Sequence, residues 1–282
     1  MLNKRGVHSG ILYMVGAQAL FAVMAACVRA LKDLALMEIV FVRSFAGVLM
    51  FGTYMGFKQL PFRGKQQLDL CMRGFTGFLA LVAYYYAITH LPLATATLLA
   101  NTAPILVAIL AGIFLKERVK PLLALLIFLC LYGVYLLVSP EFSLNMLGYG
   151  TGMGAAFFIA LAFFYIRKLS TENPFTIIFY FVSISTLCSA LWAFSAWQWP
   201  STDQWLLLGV IAATTYFGQL WLTRSFQYGD AALISTVGYC GPVFAWLLGL
   251  AFFNETLTST ALTGAGIILL SGAVFIYLNR KR

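Results

Sequence analysis

Apolar and polar positions along this chain are grouped on the scale of a lipid bilayer. Runs of roughly 20 apolar residues, about what a helix needs to cross ~30 Å of hydrocarbon, alternate with short islands that hold most of the charge. The pattern predicts an all-α membrane protein with ten transmembrane helices. They fall at Gly10–Ala30, Leu36–Phe57, Leu68–Thr89, Leu93–Leu115, Leu122–Val138, Leu147–Ile166, Phe175–Trp197, Trp205–Phe226, Leu233–Phe253 and Ala261–Leu278. The connections are short, so consecutive helices are expected as antiparallel neighbours, with no segment left over for a soluble domain. Lys4 and Arg5 before an apolar run ending Ala25–Ala26–Cys27 also outline a cleavable leader. The repeat described next argues instead that this helix is kept.

Shifting the chain by 138 residues carries Pro104 onto Pro242, Glu117 onto Glu255, Gly16 onto Gly154, Ala22 onto Ala160 and Arg29 onto Arg167. One gapless offset that matches both the start and the end of each half argues for an internal repeat. The halves are 10–139 and 147–278. Five spans per half is odd, so the second half must cross the membrane in the opposite sense. Such inverted repeats are a recurring architecture of secondary transporters.

Composition sharpens this reading. The chain is 62% hydrophobic and 10% charged, against ~25% charged in ordinary soluble proteins, so water is not its main solvent. The formal charge of +9 does not point to nucleic acid, because no basic patch is interleaved with a soluble fold. It follows the positive-inside rule instead. With the N-terminus inside, the inner segments hold Lys4, Arg5, Lys58, Arg63, Lys65, Lys116, Arg118, Lys120, Arg167, Lys168, Arg224 and the basic C-terminus; the outer ones hold only Arg29 and Lys32. Both termini are expected in the cytoplasm, and the expected location is a bacterial-type inner membrane.

No cofactor is expected. Cys27, Cys71, Cys130, Cys188 and Cys240 form no CxxC pair and read as small packing residues. His8 and His90 are too few for a metal site. Enzymatic chemistry would need a nucleophile with its base or a metal constellation, and the chain has no HExxH, no GxSG-like turn and no paired aspartates within spans.

The candidate functional residues are those that lipid tolerates poorly. Pro104 and Pro242 fall near mid-membrane, where each removes a helix hydrogen bond and creates a kink, either a gate or a tolerated bend. Asn101 and Tyr239 are equivalent positions, each three residues before its proline. They either line a polar cavity or bond a neighbouring helix. Glu38 and Arg43 are intramembrane charges, a functional hypothesis by default, with internal pairing to each other as the alternative. Gln18, Tyr84 (first of three consecutive tyrosines), Tyr216, Gln219 and Trp221 form an aromatic and amide set that suits a flat or amphipathic solute, or else ordinary packing. Gly148, Gly150, Gly152 and Gly154, and Gly74 with Gly77, mark expected close helix contacts.

The run L-C-M-R-G-F-T-G-F-L-A-L-V-A-Y-Y-Y-A-I-T-H-L-P-L-A-T-A-T-L-L at Leu70–Leu99, with Pro104 and L-K-E-R at Leu115–Arg118, resembles the first repeat of EamA-type carriers. E-I-V-F-V-R-S-F at Glu38–Phe45 resembles their second helix. D-A-A-L-I-S at Asp230–Ser235, Pro242 and N-E-T at Asn254–Thr256 resemble the second repeat, although Thr256 stands where the first has Arg118. The resemblance covers nearly the whole chain. It implies the drug/metabolite transporter superfamily, ten helices and alternating access. It also implies a cavity lined by the first, third, fourth, sixth, eighth and ninth helices, which favours Gln18, Tyr84, Asn101, Tyr216 and Tyr239 over Arg43. The expected function is transport of a small organic metabolite, an amino acid or a derivative such as S-adenosylmethionine. The alternatives are a translocase of a lipid-linked substrate, an intramembrane enzyme, and a non-transporting scaffold. The partners are a small solute and the bilayer.

Overall fold

The computed structural model describes residues 4–103, 106–107, 110, 125, 128–129, 132–133, 136, 145–195, 197–228, 234, 237–238, 240–255 and 258–280. Among these, every regular element is an α-helix: α1 (Lys4–Ala30), α2 (Leu36–Phe57), α3 (Gln67–His90), α4 (Leu93–Ala100), α5 (Met146–Lys168), α6 (Pro174–Ser195), α7 (Thr202–Tyr228), α8 (Cys240–Phe253) and α9 (Ser259–Arg280). Six of them (α1, α2, α3, α5, α6 and α7) are long and apolar enough to cross a membrane; α8 is a shorter apolar helix. The expected fifth span, Leu122–Val138, lies largely outside the described residues. So do Pro104, Glu117 and Tyr239.

Helix starts follow local chemistry. Asn145 caps α5, its Oδ1 accepting from Gly148 N at 3.0 Å. Before α7, Ser201 N donates to Gln204 Oε1 and Gln204 N to Ser201 Oγ, a reciprocal capping box. Pro174 opens α6, where its missing N–H costs nothing, and Asn173 Oδ1 takes the Phe175 N–H. The chain turns out of α2 through Gln59, in the left-handed region at φ 52°. Gln59 N bonds to Gly56 O and Leu60 N to Met55 O, closing the helix with a Schellman motif.

Helices pack in a definite set of pairs. α1 runs along α7, α3 along α5, and α2 against α6, while α4 meets α8. Further contacts join α3 to α6, α2 to α7, α1 to α8, and α4 to α5. Small residues allow several of these approaches. A Cβ on Gly47 would stand 2.9 Å from Val182, and one on Gly218 would stand 2.8 Å from Phe21. Gly74 and Gly77 face Ile184 and Phe181 on α6, as expected for a contact surface. The glycine series in α5 does not behave as expected. Gly152 packs on Leu99, but Gly150 and Gly154 meet nothing within 4 Å, and Gly148 meets only its own capping residue Asn145. Gly148 and Gly152 share one face and Gly150 and Gly154 another, and only the first pair is buried.

Polar contacts gather at the two ends of the bundle. At one end, where α1 and α3 finish, Arg29 Nε pairs with Glu255 Oε1 at 2.8 Å, and the Arg29 guanidinium also donates to the carbonyls of Ile88 and Leu91. Glu255 Oε2 accepts from Leu93 N at 2.8 Å, so this carboxylate holds the start of α4. At the opposite end, Lys168 pairs with Asp69 at 2.8 Å, and Glu172 Oε1 accepts from Lys65 N and Gln66 N. Between the ends, large side chains such as Leu49, Phe157, Leu187 and Phe217 stand exposed, as a lipid-facing surface requires.

Candidate functional site

A cavity of about 140 Å³ lies where α1 to α8 converge. Its chemistry is set by which face each helix presents. On α3 the stripe Arg73, Gly77, Leu81 and Tyr84, spaced by three and four, faces inward. On α7 the inward face is Gln219 and Leu222. From α1 come Gln18 and Phe21, from α2 Arg43, from α6 Phe181, and from the α4 segment Thr97, Ala100 and Asn101.

Breaks in two helices open the site to backbone. The expected fourth span does not run unbroken. α4 ends at Ala100, Asn101 and Thr102 turn, and helical geometry resumes at Ala103. Asn101 Nδ2 donates to Thr97 O at 2.9 Å, an i−4 bond that folds the amide back on its own helix. In the second half the turn is at Gly238, and α8 starts at Cys240. Pro242 therefore lies in the first turn of α8, where proline is tolerated, rather than kinking a continuous span as expected. A Cβ on Gly241 would collide with the Gln18 amide oxygen and stand 3.6 Å from Asn101 Nδ2. A side chain there would enter the cavity.

The two arginines give the cavity its character. Arg43 and Arg73 are each only 2% exposed. Arg43 Nε donates to Thr215 Oγ1 at 3.1 Å. The Tyr85 hydroxyl lies beside this guanidinium but outside hydrogen-bond geometry, and Arg43 Nη1 has no acceptor among the described residues. Arg73 stacks over Phe181 at 4.5 Å, and its Nε and Nη1 likewise have no acceptor among the described residues. Arg43 is 5.8 Å from that same ring. Glu38 is not the partner of Arg43, contrary to the pairing weighed from sequence. It is buried near the start of α2, and its Oε2 accepts from Gln198 N at 3.2 Å. A spacing of five residues turns the two side chains to different sides of α2.

Of the remaining residues expected from sequence, Gln18, Tyr84, Asn101 and Gln219 line the cavity. Tyr84 shares a hydrogen bond with Thr97 Oγ1 at 3.1 Å, and Gln219 Oε1 is buried without a partner among the described residues. Tyr216 does not line it. Its ring packs on Phe51 at 4.4 Å, because it is one residue along from Thr215 and so turned away from the inward face of α7. Trp221 instead covers Gly16. Of the three tyrosines, Tyr85 is buried beside Arg43 and Tyr86 stacks on His90 at 4.0 Å. Arg43 and Phe181 bring the second and seventh expected spans into the lining, beyond the six helices that the resemblance implied. Sequence reasoning passed over Arg73. Its signal was partly available: a basic residue inside an apolar span, on the same stripe as Gly77 and Tyr84, although Asp69 one turn earlier is a ready partner by sequence, and only the structure pairs that acid with Lys168. Among the described residues no cluster of His, Cys, Asp and Glu could hold a metal ion.

The chain is 34% identical over 280 residues to the pseudopaline exporter CntI of Pseudomonas aeruginosa, covering 98% of each protein. It is 27% identical to mouse solute carrier family 35 member G1, over 93% of this chain and 76% of that protein. It is 24% identical to the S-adenosylmethionine uptake transporter of Rickettsia conorii, over 74% of this chain and 72% of that one. A solved crystal structure superposes with a TM-score of 0.73 at 18% identity, covering 97% of this chain and 98% of its own, a likeness of fold. The model of the EamA-like transporter family matches residues 8–139 and again 146–278. This multi-pass membrane protein belongs to the EamA-like transporter family.

Proposed function

We propose that this protein is a secondary carrier of a small organic metabolite, an amino acid or a derivative of one, which moves it across a bacterial-type inner membrane by alternating access. The observation that carries this reading is a partly open, mainly apolar cavity at the meeting point of broken helices, into which Gln18, Arg43, Arg73, Asn101 and Gln219 bring polar groups, in a bundle otherwise built from apolar spans. Named relatives that export pseudopaline or take up S-adenosylmethionine support a small-molecule cargo.

Ten spans in two inverted repeats, 10–139 and 147–278, account for the packing. Exchanging the halves turns the α1–α7 pair into the α5–α3 pair, and both are extensive contacts. The same exchange maps α2–α6 and α4–α8 onto themselves, α3–α6 onto α7–α2, and α1–α8 onto α5–α4. This exchange supports a pseudo-two-fold relation between the halves, and five spans per half would put its axis in the membrane plane. The two helix breaks also lie close to the offset of the repeat: Asn101 and Thr102 turn in the first half, and Gly238, the counterpart of Ala100, turns in the second. Both termini are then cytoplasmic, with Arg29 and Glu255 at the outer face.

Reconstituted vesicles loaded in turn with members of a metabolite panel test the reading by counterflow, with and without a proton gradient. Saturable exchange of at least one solute is expected, and none across the panel overturns it. Impermeant labelling of cysteines placed at each terminus should report the same, inner side. Opposite sides would overturn the inverted repeat.

A further inference from the structure

Arg43 and Arg73 present buried guanidinium donors to the cavity that the described protein leaves unused. A buried cation without a counter-charge costs several kcal/mol, and within a membrane such residues mark solute or ion paths. The two lie against one ring, Phe181, so each also stands in the repulsive field of the other. Among the described residues the buried or half-buried acids have other partners: Glu255 pairs with Arg29, Asp69 with Lys168, Glu172 accepts from the Lys65 and Gln66 amides, and Glu38 accepts through Oε2 from the Gln198 amide. Among the described residues no carboxylate lines the cavity.

We propose that Arg43 and Arg73 form an oxyanion site, and that the transported solute presents a carboxylate or phosphate group to them; this rests on the carrier reading above. The planar guanidinium fork matches such groups bidentately. Phe181 supports both forks from behind, and Thr215 fixes Arg43 by its Nε, which leaves the outer nitrogens for the ligand. The unpartnered Gln219 Oε1 supplies an acceptor for an ammonium or hydroxyl elsewhere on the same solute. A solute with a net positive charge and no oxyanion is disfavoured by the same charges.

The test uses the full chain in phosphatidylcholine nanodiscs at fixed chloride. The shift of the thermal unfolding midpoint is followed against glutarate, citrate, L-glutamate and inorganic phosphate, with glutaramide as the uncharged match to glutarate. At least one oxyanion should raise the midpoint while glutaramide does not. Arg43→Gln and Arg73→Gln should each weaken the apparent affinity for that ligand about tenfold or more. A response to glutaramide equal to that of glutarate, no response to any of the oxyanions, or full retention in both variants overturns the proposal. The wild-type comparison alone decides the matter if a variant does not fold. A second set of nanodiscs containing phosphatidylglycerol separates the two possible sources. If only that lipid stabilises the protein, and does so through Arg43 and Arg73, the site takes a lipid headgroup and the solute assignment falls. Counterflow of neutral solutes without any oxyanion response would sink this inference and leave the carrier reading intact. Oxyanion binding without any counterflow would do the reverse.

Discussion

Arg29, near the end of the first helix, and Glu255, just past the end of α8, meet in an ion pair at 2.8 Å, with 23% and 9% of their side chains exposed. The backbone arranges the meeting. Asn254 takes φ 51°, and Glu255 N folds back to Gly249 O at 3.2 Å, which turns the carboxylate over the bundle toward Arg29 and the first amide of α4. One acid thus ties together α1, α4 and α8, three of the helices that enclose the cavity.

The ion pair should therefore be measurable as a coupling. Single substitutions Arg29→Gln and Glu255→Gln, and the double, are compared by thermal unfolding in detergent. Partial exposure limits the pair itself to about 1 kcal/mol. Each single variant should lose more than that, because Arg29 also serves the Ile88 and Leu91 carbonyls and Glu255 the Leu93 amide. Strict additivity in the cycle would mean that the two charges do not interact in the membrane.

Thr215 and Thr223 are buried threonines on α7 with opposite expectations. The Thr215 hydroxyl is the acceptor for Arg43 Nε, so Thr215→Val leaves a buried charged donor unpaired and should destabilise by about 1–3 kcal/mol. The Thr223 hydroxyl is itself buried without a partner among the described residues, so Thr223→Val removes an unsatisfied group at nearly constant shape. It should be neutral or stabilising. Equal losses in the two variants, read from unfolding midpoints, would remove Thr215 as a support for Arg43.

Much of this was legible in the chain because lipid imposes a strict length. The expected spans Leu36–Phe57 and Phe175–Trp197 meet α2 and α6 within about two residues, since the apolar run and the membrane-length helix are the same physical requirement. Rotation about a helix axis was less legible. Tyr216 and Gln219 read alike as polar-aromatic residues in one span, and only the packing of α7 against α1 and α2 decides that Gln219 faces the cavity. Pro242 likewise read as a mid-span kink, because hydropathy runs smoothly across a helix that in fact restarts two residues earlier, at Cys240. Arg43 carries a signal in any apolar span, but its partner does not: Thr215 is a long-range neighbour that no local pattern announces.

Gly241 sits where a side chain would press on the Gln18 amide and approach Asn101. Gln18 is flexible, so alanine can be accommodated by its movement. Valine cannot be, without occupying the solute space. Gly241→Val should therefore lower the rate of solute counterflow at least tenfold while leaving membrane abundance near wild type, with Gly241→Ala intermediate. A Gly241→Val protein that transports at the wild-type rate per folded molecule would place the solute path elsewhere.

Gly74 and Gly150 separate packing glycines from incidental ones. A Cβ on Gly74 would collide with the Ile184 side chain and stand 3.2 Å from the Tyr180 carbonyl oxygen, a backbone atom that cannot swing aside. Gly74→Val must therefore push α3 away from α6 or force strained rotamers, a cost of about 1–3 kcal/mol. The α3–α6 contact also carries Arg73 against Phe181, so the same substitution should disturb ligand response as well as stability. Gly150 faces open space within α5, and there alanine only gains helix propensity, by about 0.5–1 kcal/mol. Unfolding midpoints should fall for Gly74→Val and hold or rise for Gly150→Ala. If both fall alike, the close approach of α3 and α6 is not what Gly74 provides.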